Sequence, residues 1–274
     1  MQETAQPMAP VERGPGLALR LPKDDQVPFR GVVNLDNAGG TPGGMLYPAP
    51  GVAGLVAAVI THAFVSESVR SAEKTRIQTS ADLVLAPYQE ILQRFQNREL
   101  MQKGLEKSLF GKPKRLAEAA EDISSDWVID SIPSYSMTYD RSAIILENVL
   151  TIRKPGALHD EAYQNTVRVV SQAKVSDDLK AFWAIDQGAS LKDESVRLFA
   201  ASLDLGLADA QRASGEAHAH KTVRYKEGTA EKMERGEVLD EHCGRIVIRT
   251  LRGWVMSVPA RSSGAPTTAA EQCG

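Results

Sequence analysis

The fold class is decided by residues 144–156, which read Ile144-Ile145-Leu146-Glu147-Asn148-Val149-Leu150-Thr151-Ile152-Arg153-Lys154-Pro155-Gly156. Side chains alternate between the two faces of a strand, and here every second residue is apolar except Asn148. The Lys-Pro-Gly turn ends this strand. A second alternating set follows at Val167, Val169, Ala173 and Val175. The two sets predict an antiparallel hairpin with a longish loop.

Outward from this hairpin, the N-terminal side has helical patterns and the C-terminal side has strand patterns. Small apolar residues predict a helix over 51–76, and a second helical block covers 81–109 with Pro87 dividing it. After the hairpin, a helix starting near Ser190 places one apolar face together, at Val196, Phe199, Leu203 and Leu207. Residues 223–226, 245–251 and 254–258 are predicted strands.

These elements predict an α+β fold, with a mainly antiparallel sheet packed against helices and a buried small-residue helix at 51–76. A single domain spans residues 29–259, with a helical part at 48–121 and a strand-rich part at 126–259. Residues 1–28, rich in proline and glycine, are predicted to form an extended leader. Residues 260–274 are predicted to form a flexible tail.

Composition excludes several classes of protein. The chain has 274 residues, of which 42% are hydrophobic and 24% charged, and its net charge is −3. Such a chain buries enough apolar surface to fold as a globular protein. Its weakly acidic balance provides no overall basic field, so nucleic acid is not an expected partner.

The most apolar stretch is Gly51-Val52-Ala53-Gly54-Leu55-Val56-Ala57-Ala58-Val59-Ile60-Thr61-His62-Ala63-Phe64-Val65. A helix of this length covers about 22 Å, less than the hydrocarbon core of about 30 Å, so no transmembrane span is predicted. Apolar residues surround the helix, which favours burial in a core. The alternatives are peripheral association with a membrane, or contact with a protein partner or a second copy through 51–65.

The compartment depends on two cysteines and on the N-terminus. A disulfide between Cys243 and Cys273 would tie down the C-terminal tail, but only in an oxidising compartment. The alternative is two unrelated thiols. The first residues lack a basic segment followed by an apolar one, so either the protein is cytoplasmic or this is the mature chain of an exported protein.

The sequence contains no recognisable catalytic constellation, and no cofactor is predicted. The Gly-rich residues 37–44 are followed by Met45 and Leu46, where a phosphate-binding loop requires Lys and Ser or Thr. The most distinctive polar and aromatic run is 134–141. If a ligand cleft exists, its wall is expected there, and the candidate ligand-binding residues are Tyr135, Tyr139, Asp140 and Arg141.

A metal site is the second candidate. His218 and His220 are two residues apart, so on a strand both rings point to one face, and His242 could supply a third ligand. The spacing matches no defined zinc motif, and solvent-exposed histidines are the alternative.

Three stretches resemble uncharacterised Gram-negative envelope proteins of the exported or lipoprotein-like type: 44–48, 135–140 and 245–252. The resemblance implies a periplasmic or envelope-associated protein, and it transfers no functional residue. The leading hypothesis is therefore a non-catalytic envelope protein with a binding or assembly role, acting through its sheet or through the helix at 51–65. The alternatives are an enzyme or small-ligand binder with a cleft near 135–141, and a metal-binding domain.

Overall fold

The computed structural model describes residues 15–33, 68–111, 113–157, 161–212 and 219–260. Within these ranges the helices are α1 (Ser68–Asp82), a 3₁₀ helix (Leu83–Tyr88), α2 (Gln89–Arg94), α3 (Asn97–Lys107) and α4 (Leu179–Gln211). The strands are β1 (Leu17–Arg20), β2 (Phe29–Gly31), β3 (Lys114–Ala117), β4 (Trp127–Met137), β5 (Ile144–Arg153), β6 (Tyr163–Val170), β7 (His220–Glu227), β8 (Ala230–His242), β9 (Arg245–Thr250) and β10 (Val255–Pro259).

All ten strands belong to one sheet, in the order β3-β1-β4-β5-β6-β10-β9-β8-β7, with β2 also paired to β4. The predicted hairpin is confirmed as β5 and β6, with Leu146 opposite Val169. Its second strand ends at Val170, so the prediction is wrong for Ala173 and for Val175, which is fully exposed. The α+β class is confirmed, but the expectation of a mainly antiparallel sheet is wrong. The sheet is mixed, because β1 runs parallel to β3 and β4, β2 runs parallel to β4, and β10 runs parallel to β6.

The main core lies between one face of the sheet and the helices. Alternate residues of β5, including Leu146 and Leu150, point to this face and are fully buried. Val196, Phe199, Leu203 and Leu207 of α4 are buried against them, as the helical periodicity predicted. Burying such side chains contributes about 1.5–3 kcal/mol each before entropy is counted, so this layer is the principal source of stability.

Helix α4 begins eleven residues earlier than Ser190, at Leu179, where the Asp178 carboxylate accepts a hydrogen bond from the backbone N–H of Ala181 at 2.9 Å. The helix is interrupted at 185–188, where Asp186, Gln187 and Gly188 have φ values of 49°, 56° and 81°. Ser190 therefore follows a break within the helix, and the sequence signal marked the start of its second part.

Several predicted boundaries need correction. The leader predicted over 1–28 is wrong for residues 17–20, because β1 lies between β3 and β4 with Leu17 and Leu19 buried. The helical part predicted over 48–121 includes strand β3. The predicted helix at 51–76 lies largely outside the described residues, and the described portion continues to Asp82 as α1. The residues of the predicted tail that follow residue 260 also lie outside the described residues.

Pro87 divides the second helical block as predicted, since it lies inside the 3₁₀ helix between α1 and α2. No helix in the described part of the chain is long and apolar enough to cross a membrane.

Gly31 provides a test of how β2 is held. Its N–H donates to the Asp82 carboxylate at 2.7 Å, and the Gln78 amide donates to its carbonyl at 3.1 Å. A Cβ at this position would overlap the backbone carbonyl of Ala81. We expect Gly31→Ala to lower the free energy of unfolding in urea by about 2–3 kcal/mol, as overpacking does.

Gly111→Ala is the matched control, because a Cβ at Gly111 meets nothing within 4 Å. Equal stability of the two variants would show that the close approach of β2 to α1 is not required.

Candidate functional site

The sheet curls until its two ends line the same cavity. Strands β2 and β7 stand at opposite ends of the run β2-β4-β5-β6-β10-β9-β8-β7. In a flat sheet they would be about 34 Å apart, at about 4.8 Å per strand. Instead, both line one cavity of about 600 Å³, which we call the central cavity. Each of the eight strands contributes to its lining, in the order Arg30, Ser136, Glu147, Arg168, Met256, Thr250, Lys232 and Tyr225.

The central cavity lies on the face of the sheet opposite the main core. Tyr135 of β4 points to the helices, so its neighbours Ser134 and Ser136 point into the cavity. A smaller apolar cluster lies on the same face as the cavity, formed by Ile145, Val170, Val223, Tyr225, Ile248, Met256 and Val258. The two faces of one sheet therefore carry two separate layers of packing.

An ion triad crosses the central cavity. The Arg168 guanidinium of β6 contacts Glu147 of the adjacent strand β5, and it donates to Glu227 of β7 at 2.8 Å. Three strands separate β6 from β7 in the sheet. The Arg168–Glu227 pair therefore spans the cavity instead of following the sheet.

The triad is unevenly buried. The Arg168 side chain is 21% exposed and that of Glu227 is 6% exposed, whereas that of Glu147 is 40% exposed. Burial by itself lowers the pKa of Arg168, but Glu147 and Glu227 outweigh it and the pKa lies above its ordinary value. The Tyr225 hydroxyl donates to Glu227 at 3.1 Å, and burial followed by the charge of Glu227 raises the pKa of that tyrosine. Arginine and tyrosine thus both stay protonated around Glu227.

A second connection joins the β4–β5 turn to the β7–β8 turn. The Asp140 carboxylate, in the β4–β5 turn, accepts hydrogen bonds from the backbone N–H and the hydroxyl of Thr229 at 2.8 Å and 2.6 Å. Thr229 lies in the β7–β8 turn, 89 residues away. The carboxylate also accepts from Thr138 and Ser142. Burial raises the pKa of Asp140, but these hydrogen bonds outweigh it and hold the pKa well below its usual range.

Two polar atoms of cavity-lining residues have no hydrogen-bond partner among the described residues. They are Nε of Arg168 and the hydroxyl oxygen of Thr250, whose residue is 6% exposed. Both atoms are themselves buried, so a molecule in the cavity does not reach them. Unpaired buried atoms also occur away from the cavity, as at Nε of Arg20 and the hydroxyl of Tyr88.

Three further cations, Arg30, Lys232 and Arg252, line the cavity. The Arg252 guanidinium lies over the ring of Trp254, 5.6 Å from its centroid, and Trp254 also lines the cavity. The lining thus combines cations, an aromatic ring and hydroxyl groups at one place.

The structure separates the four residues predicted to bind a ligand. Tyr135 is fully buried on the helical face, stacks on Phe29 and donates to the carbonyl of Ser195 at 2.9 Å. Arg141 accepts at its carbonyl from the Trp183 indole at 2.5 Å. Tyr139 and Asp140 line a second cavity of about 200 Å³ beside the Asp140–Thr229 contact. Only Tyr139 and Asp140 therefore face an opening together.

His220 and His242, two of the three histidines predicted as metal ligands, are not brought together. His220 of β7 lies opposite Glu237 of β8, and His242 is the last residue of β8. The separation of five positions from Glu237 to His242 places the two histidines about 17 Å apart along the strand direction. His242 pairs with Asp240 at 2.7 Å. His218 lies outside the described residues, and those residues contain no cluster of three or more His, Cys, Asp or Glu that could hold a metal ion.

Cys243 lies in the β8–β9 turn with a φ of 50°, and Cys273 lies outside the described residues. Their pairing stays a prediction.

Sequence reasoning missed the residues of the central cavity. Glu147 and Arg168 were visible as charged residues on otherwise apolar strands, which is the one local signal that could have identified them. Nothing local connects Arg168 with Glu227, because the contact joins residues 59 positions apart.

Comparison with known proteins does not add to this geometry. No protein-family model matches the chain, and no curated protein matches its sequence.

We expect Glu227→Gln to lower the free energy of unfolding by about 2–3 kcal/mol. The substitution keeps the shape of the side chain but leaves the buried Arg168 with one carboxylate instead of two, and breaking a buried pair is costly. Urea unfolding followed by tryptophan fluorescence measures the change. The matched control is Glu118→Gln, whose partner Arg98 lies at 3.0 Å on the surface, with side chains 58% and 71% exposed. This control should cost less than about 1 kcal/mol, and equal losses would contradict a structural role for the triad.

The Asp140 contact predicts a pH dependence. Because the folded-state pKa lies below the value of about 3.9 in an unfolded chain, the ionised carboxylate stabilises the fold above that pH. This stabilisation is lost as the pH falls below about 4. We expect Asp140→Asn to be less stable than the wild type by about 1–2 kcal/mol at neutral pH, and the difference should shrink towards about pH 3.

Urea unfolding at a series of pH values measures this difference. Asp177→Asn, on an exposed loop, is the control and should leave the pH dependence unchanged. A difference between Asp140→Asn and wild type that is constant with pH would contradict the assignment.

Proposed function

We propose that this protein is a non-catalytic binding protein that holds a small organic molecule in the central cavity. The observation that carries the proposal is a cavity lined by residues of eight strands, where the side chains of Arg30, Lys232 and Arg252 form no ion pair with any described residue. The cavity volume of about 600 Å³ lies within the range of about 300–1,000 Å³ typical of small-molecule sites.

The chemistry of the lining favours binding over catalysis. A general acid or base needs a proton that it can give or take near neutral pH. Glu147 and Glu227 instead share one guanidinium, and Arg168 and Tyr225 hold their protons more tightly than usual. Residues committed to each other in this way are suited to a fixed, preorganised wall.

An envelope location is part of the proposal. It is supported by the likeness of three stretches to envelope proteins and by the two cysteines, whose pairing requires an oxidising compartment. The cytoplasm is the alternative. The helix at 51–65, proposed as a contact for a partner protein or a second copy, lies outside the described residues.

Native mass spectrometry of the protein purified from its own host tests function and location together. We expect a small molecule retained at a stoichiometry of one. We also expect a mass two hydrogens below that of the reduced chain, which reductant restores. The variant Ser136→Phe fills the cavity from β4 and should lose the small molecule, while Ser80→Phe on the exposed side of α1 should retain it.

Retention of the small molecule by Ser136→Phe would place it elsewhere on the protein and contradict the proposed site. A fully reduced chain would contradict the envelope location while leaving the binding function unaffected.

A further inference from the structure

We infer that the molecule held in the central cavity is an organic anion, with a carboxylate, sulfonate or phosphate group and an apolar or aromatic body. This inference rests on the proposed function and names the chemical class of the ligand. It is drawn from the unpaired cations and the aromatic ring that meet in the cavity.

The charges at the cavity are not balanced among themselves. Glu147 and Glu227 are already paired with Arg168. Arg30, Lys232 and Arg252 also line the cavity, and none of them forms an ion pair with a described residue. The lining has four cations and three carboxylates, the third being Glu234, so its formal sum is 4 − 3 = +1. The whole chain has a net charge of −3, so this cavity departs in sign from the rest of the molecule.

The three cations supply hydrogen-bond donors for the same class of ligand. Arginine and lysine side chains can only donate. The side chains of Arg30, Lys232 and Arg252 form no hydrogen bond or ion pair with any described residue. Charged oxygens make the strongest acceptors for such donors, and guanidinium groups bind carboxylate and phosphate with particular geometric fit.

An aromatic ring beside the cations calls for more than an inorganic ion. Trp254 is half-buried, and its ring lies at the cavity wall under the Arg252 guanidinium. Covering this ring releases water from apolar surface. An inorganic anion would pair with the cations but leave the ring in contact with solvent, so a body of carbon atoms completes the fit.

Two fluorescent dyes that differ mainly by one charged group test the inference. Anilinonaphthalene sulfonate is an organic anion, and N-phenylnaphthylamine is its neutral counterpart. We expect the full chain to bind the anionic dye at least tenfold more tightly than the neutral one at low ionic strength. The preference should diminish as salt is added, because exposed charges at the rim are screened.

Variants test whether the preference for the anionic dye arises in the central cavity. Arg30→Gln combined with Lys232→Gln should raise the Kd of the anionic dye about tenfold and leave that of the neutral dye within twofold. The matched control combines Arg94→Gln with Lys180→Gln, which removes the same charge from exposed positions on α2 and α4 and should change neither value.

The outcomes separate the two proposals. If both dyes bind with similar Kd, and if Ser136→Phe abolishes both while the charge variants change neither, the cavity takes neutral molecules. In that case the inference is overturned and the proposed function stands. If neither dye binds, or if both still bind to Ser136→Phe as to the wild type, the cavity is not a binding site and both proposals fail.

Discussion

The guanidinium of Arg168 joins β6 to β7, although three other strands lie between these two in the sheet. Its contacts with Glu147 and Glu227 require β7 to lie over β5 and β6, and the sheet must curl to allow this. A buried pair of charges carries a large desolvation cost, which is recovered only when the geometry and the surrounding hydrogen bonds are good. Tyr225 supplies one of those bonds. The triad therefore couples the curled shape of the sheet to the polar character of the cavity.

The two faces of the sheet serve different purposes because their side chains differ. On the helical face, the few polar groups satisfy one another, as when Ser131 donates to Asn148 and the Asn148 amide donates to Ser202 of α4. Stability on that side comes mainly from apolar burial, although the buried hydroxyl of Tyr88 in the main core has no hydrogen-bond partner among the described residues. On the cavity face, charged residues lie within an apolar surround, and three cations have no ion-pair partner in the described part of the chain. A binding site on this face can thus be lined with polar groups while the main core remains intact.

The elements that were predictable share one property, which is a periodicity long enough to be read locally. The alternation over 144–152 specified β5, and the apolar spacing in 196–207 specified the buried face of α4. Strand β8 has the sequence AEKMERGEVLDEH, in which no face is consistently apolar, and most of its residues are exposed or half-buried. Strand β1 has only four residues, too few for a period. Its place between β3 and β4 is set by pairing partners about 100 residues away.

The candidate site shows the same division. The run 134–141 attracted attention for its polar and aromatic composition, and alternation along β4 explains why half of it was misplaced: Tyr135 points to the helices, whereas Ser134 and Ser136 point into the cavity. Composition reports which groups are present in a segment, but the side of the sheet that the core occupies decides which of them face a cavity.

By itself, the sequence determined the globular α+β class, the hairpin of β5 and β6 and the amphipathic part of α4, because these follow from local spacing and burial. Only the tertiary structure decided the mixed direction of the sheet, the closure of β7 over β5 and β6, and the meeting of Glu147, Arg168, Glu227 and Thr250. Each of these depends on contacts between distant residues. Charges and hydroxyl groups acquire their role from the partners that the fold brings to them, and no local pattern encodes those partners.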